Sequence, residues 1–186
     1  MYLKSFPPTA KLADVMRAFP EDWRPVLELH ERILRGDSAF TVGERELLAA
    51  YVSGVNACSY CHGIHADVAR RHGVATEELE ALLADIDTAA APERLKPVLR
   101  YADKLTREPA KLTPEDAEAV YAAGWQERDL YQVTLICALF NFMNRVVDGL
   151  GIVTEAAYAP VSGNRLTEVG YADLLEHLMR TQEAGE

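Results

Sequence analysis

Two cysteines and a histidine recur at one-turn intervals in Cys58-Ser59-Tyr60-Cys61-His62-Gly63-Ile64-His65. On a helix, at roughly 100° per residue, Cys58, Cys61 and His65 share one narrow stripe. Thiols one turn apart can close into a disulfide with little backbone movement. An imidazole four residues beyond Cys61 can take its proton, directly or through one water. Cys58 falls in the first turn of such a helix, where unpaired N–H groups and the helix dipole favour a thiolate. The pattern fits a base-activated thiol with a second thiol beside it.

Glu46 joins these residues through the elements that carry them. Thr41-Val42-Gly43-Glu44 is a capping box that opens a helix through about Gly54. A second helix runs from about Cys58 to His72, with Gly73 placed for the left-handed cap. Antiparallel packing across Val55–Ala57 puts Glu46 about nine residues before the turn and His65 about eight beyond it. Both then reach a similar height along the hairpin. A carboxylate there would orient His65 and raise its basicity.

Two other readings use the same residues. Cys58, Cys61, His65 and Glu46 could form a local zinc set, or the cysteines could simply pack in a helical core. Cys137, among Leu135, Ile136, Leu139 and Phe140, reads as core. His62 reads as solvated, and His30 and His72 as surface residues.

Helix signals continue along the chain. Helices are expected at 9–18, 23–35, Thr76 to Asp85, Pro92 to Thr106, Thr113 to Gly124, Gln126 to Asp148 and 171–180. The stretch 155–170 reads as extended or looped. No strand pattern competes, so the expectation is an all-α, single-domain chain. A faint repeat at an offset of 83 aligns Glu44–Leu47 with Glu127–Leu130. It sets Cys58, Cys61 and His65 against Asn141, Asn144 and Asp148. The second copy, about 124–151, would be a helix pair that lost its thiols.

The 186 residues carry 29 acidic and 19 basic side chains, a net charge of −10. Without a basic cluster such a chain repels phosphate backbones, so no nucleic-acid partner is expected. The longest largely apolar stretch, Val133 to Phe140, is short of the roughly 20 residues that cross a bilayer. The first residues contain no apolar core of signal-peptide length. A cytoplasmic protein without a membrane partner is expected. In that reducing setting a close cysteine pair is catalytic or metal-binding rather than a structural disulfide.

The spacing of Glu46, Cys58-Ser59-Tyr60-Cys61 and His65 resembles the AhpD-like (alkylhydroperoxidase) group of the carboxymuconolactone decarboxylase superfamily. Phe140-Asn141-Phe142-Met143-Asn144-Arg145 also resembles its peroxidase-related branch. The resemblance implies a compact helical fold, duplicated in some members, and a homo-oligomer: dimer, trimer or hexamer. It implies a peroxidatic Cys61, a resolving Cys58 and a His65–Glu46 proton relay. The substrate would be a hydroperoxide and the reductant an external dithiol or thiol protein. Tyr60 stands where the best-known members have a histidine. No flavin, haem or metal is required, and no Gly-rich nucleotide motif is present. A disulfide reductase or redox sensor is the alternative.

Overall fold

Thr41 caps the helix that the capping box predicts. Its Oγ1 accepts from the Glu44 N–H at 3.1 Å, and Glu44 Oε2 accepts from the Thr41 N–H at 2.8 Å. The computed structural model describes residues 1–153 and 157–183, and these form ten α-helices, two short 3-10 turns and no strand. The all-α expectation is met.

Helix α3 (Val42–Val55) and helix α4 (Ser59–Arg71) form the hairpin. Small residues let them approach: Ala49, Ala50 and Ser53 on α3 are fully buried. Between the helices Ala57 adopts φ +57°, a left-handed conformation that costs a non-glycine residue about 1 kcal/mol. The turn is held from outside, because Asn56 Nδ2 donates to Asn144 Oδ1 (2.9 Å) and Asn141 Oδ1 (3.2 Å). Cys58 is therefore the N-cap of α4 and not a residue of its first turn.

In chain order the other helices are α1 (Leu12–Ala18), α2 (Pro20–Leu34), α5 (Thr76–Ala84), α6 (Lys96–Arg107), α7 (Pro114–Ala122), α8 (Glu127–Gly149), α9 (Tyr158–Val169) and α10 (Leu174–Glu183). Helix α8 packs on α2, α3, α4, α6 and α7. One 18-residue window of α8 has mean hydropathy 1.3, enough by length and composition to cross a membrane, and half of that window is buried inside the protein. Its buried polar side chains have protein partners. Gln132 donates to the Ile33 carbonyl (3.0 Å) and Asn144 to Ser53 Oγ (3.0 Å).

Two expectations are corrected. Segment 127–148 is one unbroken helix, in line with the expected helix Gln126 to Asp148, so the faint repeat does not give a second helix pair. Opposite Gly54-Val55-Asn56-Ala57 stand Cys137-Ala138-Leu139-Phe140, which contain nothing that breaks a helix. The stretch 155–170 is helical from Tyr158 to Val169, with residues 155 and 156 outside the described set. Pro160 is the third residue of α9, where its missing N–H would have no intrahelical acceptor. Gly163 is a contact point against Asp67 of α4. Arg71 fastens the pair: its Nη1 donates to Asn164 Oδ1 at 2.8 Å and its Nε to Asp67 Oδ2 at 2.6 Å.

A Cβ at position 163 would stand 3.0 Å from the Asp67 Cβ and nearer still to its carboxylate. Gly163→Ala is therefore expected to destabilise the fold by about 1–3 kcal/mol despite alanine's higher helix propensity. Urea denaturation monitored by circular dichroism measures this, and a stabilised variant would contradict the packing.

Candidate active site

Glu46 is completely buried near the middle of α3. A buried carboxylate survives only with partners for its charge and its lone pairs. Three groups from three other parts of the chain supply them. Nδ1 of His65 on α4 lies 2.7 Å from Oε2. Nη1 of Arg35, the residue after α2, lies 2.6 Å from Oε1. The Tyr171 hydroxyl, in the turn before α10, donates to Oε1 at 2.9 Å. Burial pushes the Glu46 carboxyl up, but His65 and then Arg35 outweigh it and hold the pKa at about 2.

Local devices place these partners. Gly170 takes φ +74°, which brings the next two amides onto α2. There Glu31 Oε2 accepts from the N–H of Tyr171 (2.8 Å) and of Ala172 (3.1 Å). Burial, reinforced by the Glu46 charge, keeps the Tyr171 phenol protonated, as a donor must be. The Arg35 guanidinium lies 4.9 Å from the Tyr171 ring centre. His65 stands edge-on to Phe140 at 4.5 Å. With Nδ1–H directed at Glu46, the basic nitrogen of His65 is Nε2.

An apolar cavity of about 60 Å³ meets this cluster, several times the roughly 10–15 Å³ that one water requires. Cys61, His65, Tyr60, His30 and Tyr171 line it, with leucines from α1, α2, α9 and α10. Cys61 and His65 thus face one space, and among the described residues no direct hydrogen bond joins them. The direct proton path is absent, and a path through one water remains open.

The sulfurs are unequal. All three cysteines are free thiols. The Cys61 thiol donates to Cys58, and with the Cys61 backbone N–H it lowers the Cys58 pKa against the opposing effect of burial. The same hydrogen bond, with burial, holds Cys61 well above the ordinary thiol range. Of the two, Cys58 at the helix N-terminus is thus the more readily ionised, while the sulfur lining the cavity is Cys61. Cys137 is core, and burial alone raises it to about 12.

Glu46, Cys58, Cys61 and His65 lie together on the α3–α4 hairpin, Glu46 and His65 in direct contact. Glu46 is committed to three other groups, and no set of three or more His, Cys, Asp or Glu side chains among the described residues is arranged to hold a metal. His62 is half-buried with Nδ1 3.0 Å from the Ala50 carbonyl, rather than solvated. His30 is 3% exposed, not a surface residue. Its signal was in the sequence: Trp23, Leu27, His30 and Leu34 repeat at helical spacing on one buried face. Arg35 and Tyr171 carry no such signal, because neither stands at a local spacing from Glu46.

Residues 24–104 match the model of the carboxymuconolactone decarboxylase family. A Bacillus subtilis protein of uncharacterised function, YdfG, is 25% identical over 107 residues, 58% of this chain and 73% of that protein. A peroxidase-related protein from Silicibacter sp. TM1040 superposes with TM-score 0.72 at 26% identity, over 80% of this chain and 78% of its own. An AhpD-core, peroxidase-related protein from Ralstonia eutropha JMP134 shares the fold, with TM-score 0.72 and 22% identity over the same shares. So does a protein of unknown function from Agrobacterium tumefaciens, with TM-score 0.66 and 18% identity over 76% of this chain and 97% of its own.

The Glu46 carboxyl titrates lower in the folded protein, at about 2, than its ordinary value of 4.5. Its contribution to stability is thus complete above pH 4.5 and lost as pH falls toward 2, on the order of 3 kcal/mol. Urea midpoints from pH 6 to pH 2 should show this loss. In Glu46→Gln the loss should be smaller and the stability lower at every pH, since Arg35 is left without its counter-charge.

Proposed function

We propose, for a chain that belongs to the carboxymuconolactone decarboxylase superfamily and to its AhpD-like, peroxidase-related branch, the thiol-dependent reduction of hydroperoxides through Cys61 and Cys58. The observation that carries this reading is the shared cavity. Cys61 and His65 line it together, with Glu46 buried behind the imidazole, so a small molecule there would meet both.

His65 Nε2 takes the Cys61 proton through a bridging water, and the buried Glu46 charge stabilises the resulting imidazolium. The Cys61 sulfur attacks the terminal oxygen of the hydroperoxide. The S–O bond forms as the O–O bond breaks, and the departing alkoxide leaves as alcohol with the proton from His65. Cys61 is now a sulfenic acid. The Cys58 thiol attacks the Cys61 sulfur, closing the disulfide; the S–O bond breaks and the hydroxide leaves as water with the Cys58 proton. An external dithiol or thiol protein reduces the disulfide by exchange and is itself oxidised. Access decides which sulfur meets peroxide: Cys61 lines the cavity and Cys58 does not. The apolar lining favours an organic hydroperoxide. A reducing compartment such as the cytoplasm would keep the dithiol charged. A homo-oligomer is part of the same reading, supported by exposed Tyr131, Phe142 and Val161.

One observation favours a second reading. The lowered pKa falls on Cys58, the N-terminal member of the pair, and a helix-N-terminal thiolate suits attack on disulfides. A general disulfide oxidoreductase would oxidise and reduce protein partners quickly and peroxides slowly.

Peroxide consumption with a dithiol donor separates the readings. Cys61→Ser is expected to abolish turnover, and Cys58→Ser to stop after one equivalent with a trappable sulfenic acid. His65→Gln should slow the peroxide step about a hundred- to ten-thousandfold. A Cys61→Ser protein that turns over at the wild-type rate would remove Cys61 from the reaction.

A further inference from the structure

We propose that His30 is a substrate-binding residue, accepting a hydrogen bond at Nε2 from the terminal O–H of the hydroperoxide in the cavity it shares with Cys61 and His65. The inference rests on the peroxidase reading and deepens it by naming what holds the substrate.

The tautomer is set by the backbone. His30 Nδ1 lies 2.7 Å from the Val26 carbonyl oxygen, one turn back on α2. A carbonyl only accepts, so Nδ1 carries the proton and Nε2 presents a lone pair. The ring is fixed between Phe140, edge-on at 6.0 Å, and Tyr171, tilted at 5.2 Å. Nε2 has no hydrogen-bond partner among the described residues. It is not sealed in the core either, since the one buried, unpartnered side-chain nitrogen or oxygen there is Arg35 Nη2. His30 lines the cavity, and its Nε2, unpartnered yet not sealed in, has that space as its opening. An apolar side chain would fill the position without leaving a buried acceptor that needs a partner.

The two imidazoles differ in what stands behind them. His65 is backed by a carboxylate and can carry a proton. His30 is backed by a neutral carbonyl, and burial lowers its pKa to about 4, so it stays a neutral acceptor. A hydroperoxide needs both. Its terminal O–H needs an acceptor that orients the oxygen toward sulfur, and its departing oxygen needs a proton. With His30 holding the O–H, that hydrogen stays on the oxygen transferred to Cys61. The His65 proton goes to the alkoxide, and the step balances as thiol plus hydroperoxide giving sulfenic acid plus alcohol. This division also explains why the acceptor must not be charged. An imidazolium at His30 would have only donors to offer.

The test uses the reduced full-length protein and two small reagents in stopped flow. tert-Butyl hydroperoxide carries the O–H that His30 would hold, and methyl methanethiosulfonate reacts with the same thiols but has none. His30→Leu is expected to slow oxidation by the hydroperoxide about ten- to a hundredfold. Its rate with methyl methanethiosulfonate should stay within about twofold, as one lost substrate hydrogen bond requires. His30→Gln, which restores an acceptor oxygen, should recover most of the peroxide rate. The proposal is overturned if His30→Leu is oxidised at the wild-type rate, if both reagents slow together, or if His30→Gln is no faster than His30→Leu. Wild-type protein no more reactive toward peroxide than free cysteine would sink the parent reading and this one with it. An active wild type with an equally active His30→Leu would sink this one alone.

Discussion

A single negative charge with no access to solvent organises this molecule. Taking the Glu46 carboxylate out of water costs several kcal/mol unless opposing charge and hydrogen bonds are returned to it. His65, Arg35 and Tyr171 return them, each from a different part of the chain. The requirement fixes the register of α3 on α4 and draws the end of α2 inward. It also seats the turn before α10 over the pair, through Gly170 and Glu31. The histidine meanwhile acquires one tautomer, with Nδ1 committed and Nε2 open to the cavity.

The cavity follows from the same arrangement. Helices α1, α2, α9 and α10 supply apolar walls around a floor of Cys61 and His65. The two imidazoles that line the cavity each have their ring proton set by a neighbour: His65 by Glu46, His30 by the Val26 carbonyl. The dithiol divides its properties between two atoms. The helix terminus and the Cys61 thiol favour charge on Cys58, while the cavity favours contact with Cys61. The proposed mechanism reconciles the two, because Cys61 faces the cavity and His65 would take its proton.

The hairpin was legible because its information is local. A capping box, a helical period and the length of a turn are enough to bring Glu46 and His65 to one height, and the 2.7 Å contact is their consequence. The errors share one cause. The stretch 155–170 reads as extended or looped from local signals, yet Gly163 within it lets Asp67 of another helix approach α9. The faint repeat sets 124–151 against the hairpin at 41–72, while the pattern of 126–148 reads as one long helix, and that helix is what forms. Its continuity depends on Ala138, Leu139 and Phe140 standing where the true hairpin has Val55, Asn56 and a left-handed Ala57. His30 was read as exposed because the residue type outweighed the buried stripe it belongs to.

By itself, then, the amino-acid sequence determined the all-helical class, the α3–α4 hairpin and the stripe that carries both sulfurs and the imidazole. Hydrogen-bond range and helical period act over a few residues and can be read without coordinates. Only the tertiary structure decided which groups neutralise Glu46, which sulfur faces open space and which histidine is buried beside it. Those outcomes depend on desolvation, and whether a group is desolvated is set by residues such as Tyr171, 125 positions from Glu46 along the chain, that no local spacing can reveal.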